Sequence, residues 1–233
     1  MTLVKVCGLR SLPEARAAVQ AGANWLGFIF WKPGKRFVPP EQAAEIIHTL
    51  RQESSGWSAV GVFVDPIFED VAEAAALCGL DYVQLSGDES AALVDAMPLP
   101  TIKAIHVRAG QEAAAADVVA SNALRAHLYL LDTHADGLHG GTGTAFDWAA
   151  LQGVGPRCLV AGGLRPDNVA VALATLAPLG VDVSSGVEFP QTPQFDLTSH
   201  DSRLTTPTNG GGKDPRLIHA FLEAVRSYDK RAE

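Results

Sequence analysis

The chain has 233 residues, 47% hydrophobic and 19% charged, a balance that excludes an intrinsically disordered protein. Its formal net charge of −8 argues against nucleic acid and anionic membranes as partners, and its apolar runs are too short to span a membrane. No signal-peptide pattern is visible, so we expect a cytoplasmic protein. Three widely spaced cysteines without a C-x-x-C pair argue against a disulfide framework or structural zinc.

Short apolar runs alternate with Ala-rich amphipathic stretches along the chain, which predicts regular strand–helix units. The predicted strands, in chain order, are 4–7, 25–30, 59–64, 82–85, 101–107, 127–132, 158–161 and 181–184. The predicted helices are 12–21, 40–52, one opening at 65–66, one after 88, 111–120, a short one near 146–151, 166–176 and 215–228.

Eight such units in this length predict a single domain over 1–233 with an α/β fold, a closed (βα)8 TIM barrel. A doubly wound open sheet is the alternative, but its dinucleotide site requires G-x-G-x-x-G where this chain has CGLR at 7–10. The Pro-, Thr- and Gly-rich stretch 190–211 has no sustained period and predicts a flexible loop inserted before the last helix. A tolerated surface insertion is favoured there over an interaction surface or a lid.

In barrel enzymes the reacting groups lie at the carboxyl ends of the strands, where this chain has Cys7 and Asp132. The Cys7 thiolate could act as a base if nearby donors lower its pKa. Asp132, if partly shielded from water, could deliver a proton, although a role in bracing the following loop is almost as good an interpretation. Cys78 and Cys158 are interpreted as small buried hydrophobic residues.

The loops after the seventh and eighth predicted strands contain Gly162, Gly163, Ser184, Ser185 and Gly186. Backbone N–H groups in these two loops form the most common phosphate site of the barrel architecture. The alternative is that the glycines simply make tight turns. Phosphate binding is favoured, because local amide dipoles can hold an anion on a protein whose net charge is negative.

Two further groups of polar residues lie in loops. Arg36, after the second strand, offers a planar fork suited to a carboxylate. His134, Asp136 and His139 match no firm metal-binding spacing, so we expect solvated loop residues and no metal site.

A set of short segments, each weak alone, follows a specific order along almost the whole chain. The main ones are KVCG at 5–8, GFIF at 27–30, VGVFV at 60–64, VQL at 83–85, GDE at 87–89, LD at 131–132, GGTG at 140–143, AGGL at 161–164, VDVSSGVE at 181–188 and KD at 213–214. In this order and at these spacings, the sequence resembles the phosphoribosylanthranilate isomerase family of tryptophan biosynthesis.

The resemblance implies a barrel of the ribulose-phosphate-binding type and a cofactor-free Amadori rearrangement, in which an aldose becomes a ketose. The substrate would be N-(5-phosphoribosyl)anthranilate and the product 1-(2-carboxyphenylamino)-1-deoxyribulose 5-phosphate. The family's general base corresponds to Cys7 and its general acid to Asp132. The only partner implied is this small phosphorylated molecule, and both a monomer and a homodimer stay open.

The same resemblance assigns the binding residues. It implies that Arg36 contacts the anthranilate carboxylate, that Gln84 and Asp182 line the pocket, and that the two glycine-containing loops hold the phosphate. One departure concerns Ser86, which stands where the family usually has His, and this affects neither the acid nor the base.

Two other functions were weighed. A histidine-pathway aminoaldose isomerase resembles a duplicated half-barrel with Asp as the base on the first strand, whereas here Cys7 stands there and no half-repeat is visible. An inactive barrel that binds a phosphorylated ligand or a partner would be signalled by loss of Cys7 or Asp132, and both are present.

Overall fold

A computed structural model of the chain describes residues 1–108, 110–133, 148–190 and 212–232. Eight parallel strands pair in sequence order into a closed barrel, which confirms the predicted fold class. The strands are β1 Leu3–Cys7, β2 Trp25–Ile29, β3 Ser58–Phe63, β4 Tyr82–Leu85, β5 Thr101–Val107, β6 Leu128–Thr133, β7 Cys158–Ala161 and β8 Gly180–Val183. The barrel closes where β1 pairs with β8, in a register that places Lys5 beside Asp182.

Helices follow most of the strands and surround the barrel. They are α1 Leu12–Ala21, α2 Pro40–Glu53, α3 Phe68–Cys78, α4 Ala91–Ala96, α5 Glu112–Ser121, α6 Val169–Leu176 and α7 Pro215–Ala232. Two 3₁₀-helical segments, Trp148–Arg157 and Ser185–Val187, precede β7 and follow β8. Among the described residues, no helix is long and apolar enough to cross a membrane.

Local sequence explains where α1 begins and ends. Ser11 and Glu14 form a capping box, in which the side chain of each residue accepts a hydrogen bond from the backbone N–H of the other. Gly22 ends the helix with a left-handed φ of 92°, a conformation that glycine adopts without strain. Glu14 also accepts the backbone N–H of Lys213, so the same carboxylate ties α1 to the segment that enters α7.

The prediction that the third helix opens at residues 65–66 is wrong, because α3 begins at Phe68. Asp65 instead has a left-handed φ of 45°, and its carboxylate accepts the N–H of Asp88 at 2.7 Å. Its own N–H donates to Glu89. Asp65 therefore connects the loops after β3 and β4, where the aspartate tolerates the left-handed conformation. The short helix predicted near 146–151 is described only from Trp148, as part of the first 3₁₀ segment.

Hydrophobic residues form one large core between the barrel and its helices and a smaller one inside the barrel. The buried members of the inner core are Trp25, Val60, Ile102, Ala104, Leu130, Leu159 and Ala161, and Leu3 packs against them. Since alternate residues of a strand face the same side, Lys5 and Cys7 continue the inward face that Leu3 starts. The barrel interior is thus apolar at one end and polar toward the carboxyl ends of its strands.

Candidate active site

Cys7 closes β1 with its side chain inside the barrel, and the residue is 5% exposed. Its register partner on β2 is Gly27, where an added Cβ would lie 2.8 Å from the Cys7 sulfur. Glycine at this position therefore leaves room for the thiol. On the other side, the Ser184 hydroxyl donates to the Cys7 carbonyl at 3.0 Å and ties the end of β1 to the loop after β8.

A buried ion pair lies directly beneath Cys7. The Lys5 ammonium, fully excluded from solvent, donates to Asp182 Oδ1 at 3.0 Å, and its positive charge acts to lower the pKa of the Cys7 thiol. Burial lowers the pKa of Lys5, but the negative charge of Asp182, whose carboxylate the ammonium contacts, outweighs it, so that the pKa is raised. Lys5 therefore keeps its positive charge beside the thiol. Lys5 has no predicted role in the sequence interpretation, although its spacing of two from Cys7 places both on one strand face.

The protonation state of Cys7 reflects competing effects. Burial raises the pKa of the thiol, and the positive charges of Lys5 and Lys213 lower it without cancelling that effect. The nearby donors that the sequence analysis required are thus present, but the net pKa lies above the ordinary value. In the free protein Cys7 is a protonated thiol near neutral pH.

Asp132 lies on β6, with His106 of β5 and Ala161 of β7 as register partners. Ala161 belongs to the core inside the barrel, so Asp132 faces the same interior. The Asp132 side chain is 27% exposed, and its Oδ2 lies 3.5 Å from Nδ1 of His106. The carboxylate is thus partly shielded from water, as predicted for a proton donor, and it has an imidazole neighbour that the sequence analysis did not anticipate.

Gln84 lies on β4 and is buried, being 4% exposed. Its amide nitrogen donates to the Ser86 hydroxyl at 3.0 Å, whereas its amide oxygen has no partner among the described residues. A buried acceptor of this kind costs free energy unless a donor satisfies it, and a substrate hydroxyl could do so. Gln84 and Asp182, the two predicted pocket residues, thus both lie in the barrel interior.

Arg36 crosses over the loop that follows β1. An added Cβ at Gly8, whose φ is +79°, would lie 2.6 Å from Arg36 Cδ, so glycine is required there both for the turn and for the crossing. Arg36 donates to Glu188 through Nε and through Nη2, the latter at 3.0 Å. A guanidinium has five N–H donors, so Arg36 retains donors for a second carboxylate.

Lys213 anchors the loop that Arg36 reaches. Its buried ammonium donates to Glu188 at 2.9 Å and to the carbonyl and hydroxyl of Ser184 at 3.0 and 3.1 Å. Burial lowers the pKa of Lys213, although the negative charge of Glu188 opposes this effect. Burial would raise the pKa of Glu188, but Arg36 and Lys213 lower it overall. Through these contacts Lys213 and Glu188 hold the loop after β8 in place.

The two predicted phosphate loops lie next to each other at the ends of β7 and β8. Gly162 and Gly163 have left-handed φ angles of 95° and 62°. An added Cβ at Gly186 would lie 1.8 Å from the Leu164 carbonyl oxygen, which shows how closely the loops approach. These glycines are therefore required by the turn geometry, and the same geometry brings together two loops whose backbone can approach an anion closely.

Several predicted features lie outside the described residues. They are His134, Asp136, His139 and the GGTG segment in the loop after β6, together with 191–211 of the insertion. Within the part of the chain that the structure describes, no group of three His, Cys, Asp or Glu side chains could hold a metal ion.

Comparisons with known proteins agree with this architecture. Residues 4–190 match the family model described as N-(5'phosphoribosyl)anthranilate (PRA) isomerase. A relative from Geobacter sp. (strain M21), named N-(5'-phosphoribosyl)anthranilate isomerase, is 46% identical over 191 residues, which are 81% of this chain and 89% of the relative.

Solved structures are similar over almost the whole chain. The phosphoribosyl anthranilate isomerase of Thermotoga maritima is 30% identical, with a TM-score of 0.78 over 97% of this chain and all of the other. A second such isomerase was solved with reduced 1-(o-carboxyphenylamino)-1-deoxyribulose 5-phosphate. It is 29% identical, with a TM-score of 0.75 over 97% of this chain and 100% of that one.

Proposed function

This chain belongs to the N-(5'-phosphoribosyl)anthranilate isomerase family, and from that premise we propose that Cys7 and Asp132 carry out the two proton transfers of its reaction. The enzyme isomerises N-(5'-phosphoribosyl)anthranilate in tryptophan biosynthesis and acts on a small phosphorylated substrate. The observation that carries the proposed roles is the placement of a thiol and a carboxyl group on the inward faces of β1 and β6.

The first proposed step is opening of the sugar ring. The Asp132 carboxyl group donates a proton to the furanose ring oxygen while the bond between that oxygen and C1 breaks. The nitrogen lone pair forms a double bond to C1, and the product is a positively charged iminium. The partial exposure of Asp132 supports this role, because the carboxyl group can regain a proton from its surroundings.

The second proposed step is removal of the C2 proton by the Cys7 thiolate. The iminium acidifies this proton, since the electron pair left on C2 flows to the nitrogen and gives a neutral enolamine. The positive iminium also favours ionisation of a thiol nearby, in the same direction as Lys5 and Lys213. A thiol that burial keeps protonated in the free enzyme can therefore release its proton to solvent water once the substrate ring has opened, and the resulting thiolate takes the C2 proton.

The enolamine then becomes the ketone. C1 gains the proton that Cys7 took from C2, and the 2-hydroxyl group passes its proton to the Asp132 carboxylate. Asp132 is then a carboxylic acid again, and the Cys7 thiolate takes back from solvent, as the product leaves, the proton that it released when it ionised. No atom is added to or lost from the substrate over the three steps, as an isomerisation requires.

The other predicted residues position the substrate in this proposal. Arg36, held by Glu188, presents its remaining donors to the anthranilate carboxylate. The free amide oxygen of Gln84 accepts from a sugar hydroxyl, and Asp182 is available from the opposite side of the barrel interior. The loops containing Gly163 and Gly186 hold the phosphate through backbone N–H groups. The biosynthetic reaction supports a cytoplasmic location, which stays a prediction.

The direct test is a steady-state assay of the full-length, reduced protein, following the loss of substrate fluorescence without added metal or nucleotide. We expect turnover with wild type, and the substitution Asp132→Asn should lower kcat by about 10²- to 10⁴-fold, the range typical of general acid catalysis. Asp95→Asn is the matched control, because Asp95 lies in an exposed ion pair with Arg125 outside the barrel interior. Near-wild-type turnover by Asp132→Asn would remove Asp132 from the mechanism.

A further inference from the structure

His106 lies next to the proposed acid and has no assigned role. It extends from β5 on the inward face that Ile102 and Ala104 define, and its register partner on β6 is Asp132. Its Nε2 lies 2.9 Å from the Ser86 carbonyl oxygen, and its Nδ1 lies 3.5 Å from Asp132 Oδ2. The imidazole ring thus bridges the end of β4 and the proposed acid.

These two contacts determine where protons can reside. A carbonyl oxygen can only accept a hydrogen bond, so Nε2 of His106 must carry a hydrogen toward Ser86. If His106 were neutral and Asp132 ionised, the lone pair on Nδ1 would face a carboxylate oxygen and the two would repel. One proton must therefore lie between them, either on Nδ1 of an imidazolium or on the carboxyl group of Asp132.

We propose that His106 is a positioning residue for the acid step, because it shares with Asp132 the single proton that Asp132 passes to the substrate. The inference rests on the proposed function, in which Asp132 is the acid. The proton moves from Nδ1 to the carboxylate and then to the ring oxygen as the C1–O bond breaks. It returns to the pair when the 2-hydroxyl group loses its proton during ketone formation.

The charges around the pair agree with this arrangement. The hydrogen bond to Asp132 raises the pKa of His106, although partial burial opposes it. Lys103 of the same strand faces away from the interior and is paired with Glu89 at 2.9 Å, and its positive charge lowers the pKa only slightly. Burial raises the pKa of Asp182 on β8, and the negative charge of Asp132 across the interior adds to this effect.

The substitution His106→Gln tests the proposal, since glutamine can still donate to the Ser86 carbonyl but cannot take up a proton. A lone aspartate loses its proton near its ordinary pKa of about 3.9, whereas a histidine retains its own to about 6.5 or above. We therefore expect kcat at pH 7.5 to fall tenfold or more and the basic limb of the kcat profile to move at least one pH unit lower. KM should change less than threefold, because His106 does not hold the substrate.

His219→Gln is the matched control, as His219 lies 3.8 Å from Glu223 on α7, outside the barrel. That variant should keep the wild-type pH profile. Thermal unfolding of both variants shows whether His106→Gln is folded when it is assayed. A kcat profile of His106→Gln that superimposes on that of wild type would overturn the proposal.

Imidazole NMR gives a second readout that does not depend on activity. The His106 signal is identified as the one that disappears in His106→Gln, and its pKa should fall in Asp132→Asn because the paired carboxylate is gone. An unchanged pKa would overturn the pairing. If instead Asp132→Asn kept full turnover while the His106 pKa fell, the acid role would fail and the pairing would stand.

Discussion

At the carboxyl ends of the barrel strands, the two proposed proton-transfer groups differ in how far their surroundings are exposed to solvent. On the base side, Cys7 lies against Lys5 and Asp182, whose side chains are 0% and 8% exposed. On the acid side, the side chains of Asp132 and His106 are 27% and 49% exposed. Burial, opposed by the charges of Lys5 and Lys213, thus sets the protonation of the base, whereas the acid can exchange its proton with water.

This difference follows from what each group must do. An acid that gives up a proton in every cycle benefits from contact with solvent, which can supply another. A base that takes a proton from carbon needs a site without water, because hydration would stabilise the thiolate and make it less reactive toward the C2 proton. Lys5, held in place by its pairing with Asp182, supplies positive charge near Cys7 without admitting water, and the Asp182 carboxylate opposes part of that effect.

The largest effect should come from removing the base. Cys7→Ala is expected to lower kcat by about 10²- to 10⁴-fold, since no other described group on β1 can accept the C2 proton. Steady-state kinetics would measure this, with Cys78→Ala as the control. Cys78 is also buried, but it lies at the end of α3, where its thiol donates to the Pro40 carbonyl. Full activity in Cys7→Ala would exclude Cys7 as the base.

The pH dependence of alkylation sharpens the same prediction. The pKa of Cys7 is raised by burial, so the thiolate fraction should still increase as the pH rises past 8.5, the ordinary value for cysteine. The rate at which iodoacetamide inactivates the enzyme should increase in parallel. A rate that levels off below pH 8 would mean that Lys5 and Lys213 outweigh burial, contrary to the structure.

The next largest effect is expected from substitutions in the buried Lys5–Asp182 pair, which test whether the pair stabilises the fold, the Cys7 thiolate or both. Lys5→Met leaves the Asp182 carboxyl group buried without its partner, and we expect the free energy of unfolding to fall by about 3–5 kcal/mol. The double variant Lys5→Met with Asp182→Leu should recover much of this loss, because neither charge then remains unpaired. Chemical denaturation measures both values.

The kinetics of the double variant separate the two roles. Asp182 is itself a proposed pocket residue, so Asp182→Leu alone is assayed beside the double variant. If Lys5 favours the thiolate, kcat of the double variant stays at least tenfold below that of Asp182→Leu even though stability returns. A double variant with wild-type kcat would show that the pair only supports the fold. Arg16→Met together with Glu53→Leu is the control, because this exposed pair lies at the helices and should contribute less than about 1 kcal/mol.

A smaller effect is expected from substitution of Arg36, which we propose binds the substrate carboxylate. Arg36→Lys keeps the positive charge but loses the planar fork that donates to Glu188 and to a second carboxylate together. We expect KM to rise about tenfold with kcat changed less than threefold, because the interaction holds the substrate equally before and during reaction. A fall in kcat with unchanged KM would instead place Arg36 in the chemical steps.

The secondary structure was largely predictable because its signals are local. Ser11, Glu14 and Gly22 determine both ends of α1 through contacts within a few residues, and the predicted range matches the observed one. The error at Asp65 has an equally clear cause. The residue resembles a helix cap in sequence, but its partner is Asp88, 23 residues away in the next loop.

The candidate site was predictable only in part. The rule that barrel strands carry their chemistry at the carboxyl end identified Cys7 and Asp132 from position alone. The partners that define their protonation were missed, since Lys5 meets Asp182 across a separation of 177 residues and His106 meets Asp132 across neighbouring strands. A charged residue two positions before Cys7 was the one signal available.

The sequence alone thus determined the alternation of strands and helices, the closed barrel it implies, and the order of motifs that indicates the family. Each of these depends on periodicity or on residues close together in the chain. Only the tertiary structure decided that Lys5 is paired beneath Cys7, that Glu188 and Lys213 hold Arg36 and Ser184, and that His106 faces Asp132. The physical reason is that burial and long-range charge pairing, which control pKa, exist only after the eight strands have closed.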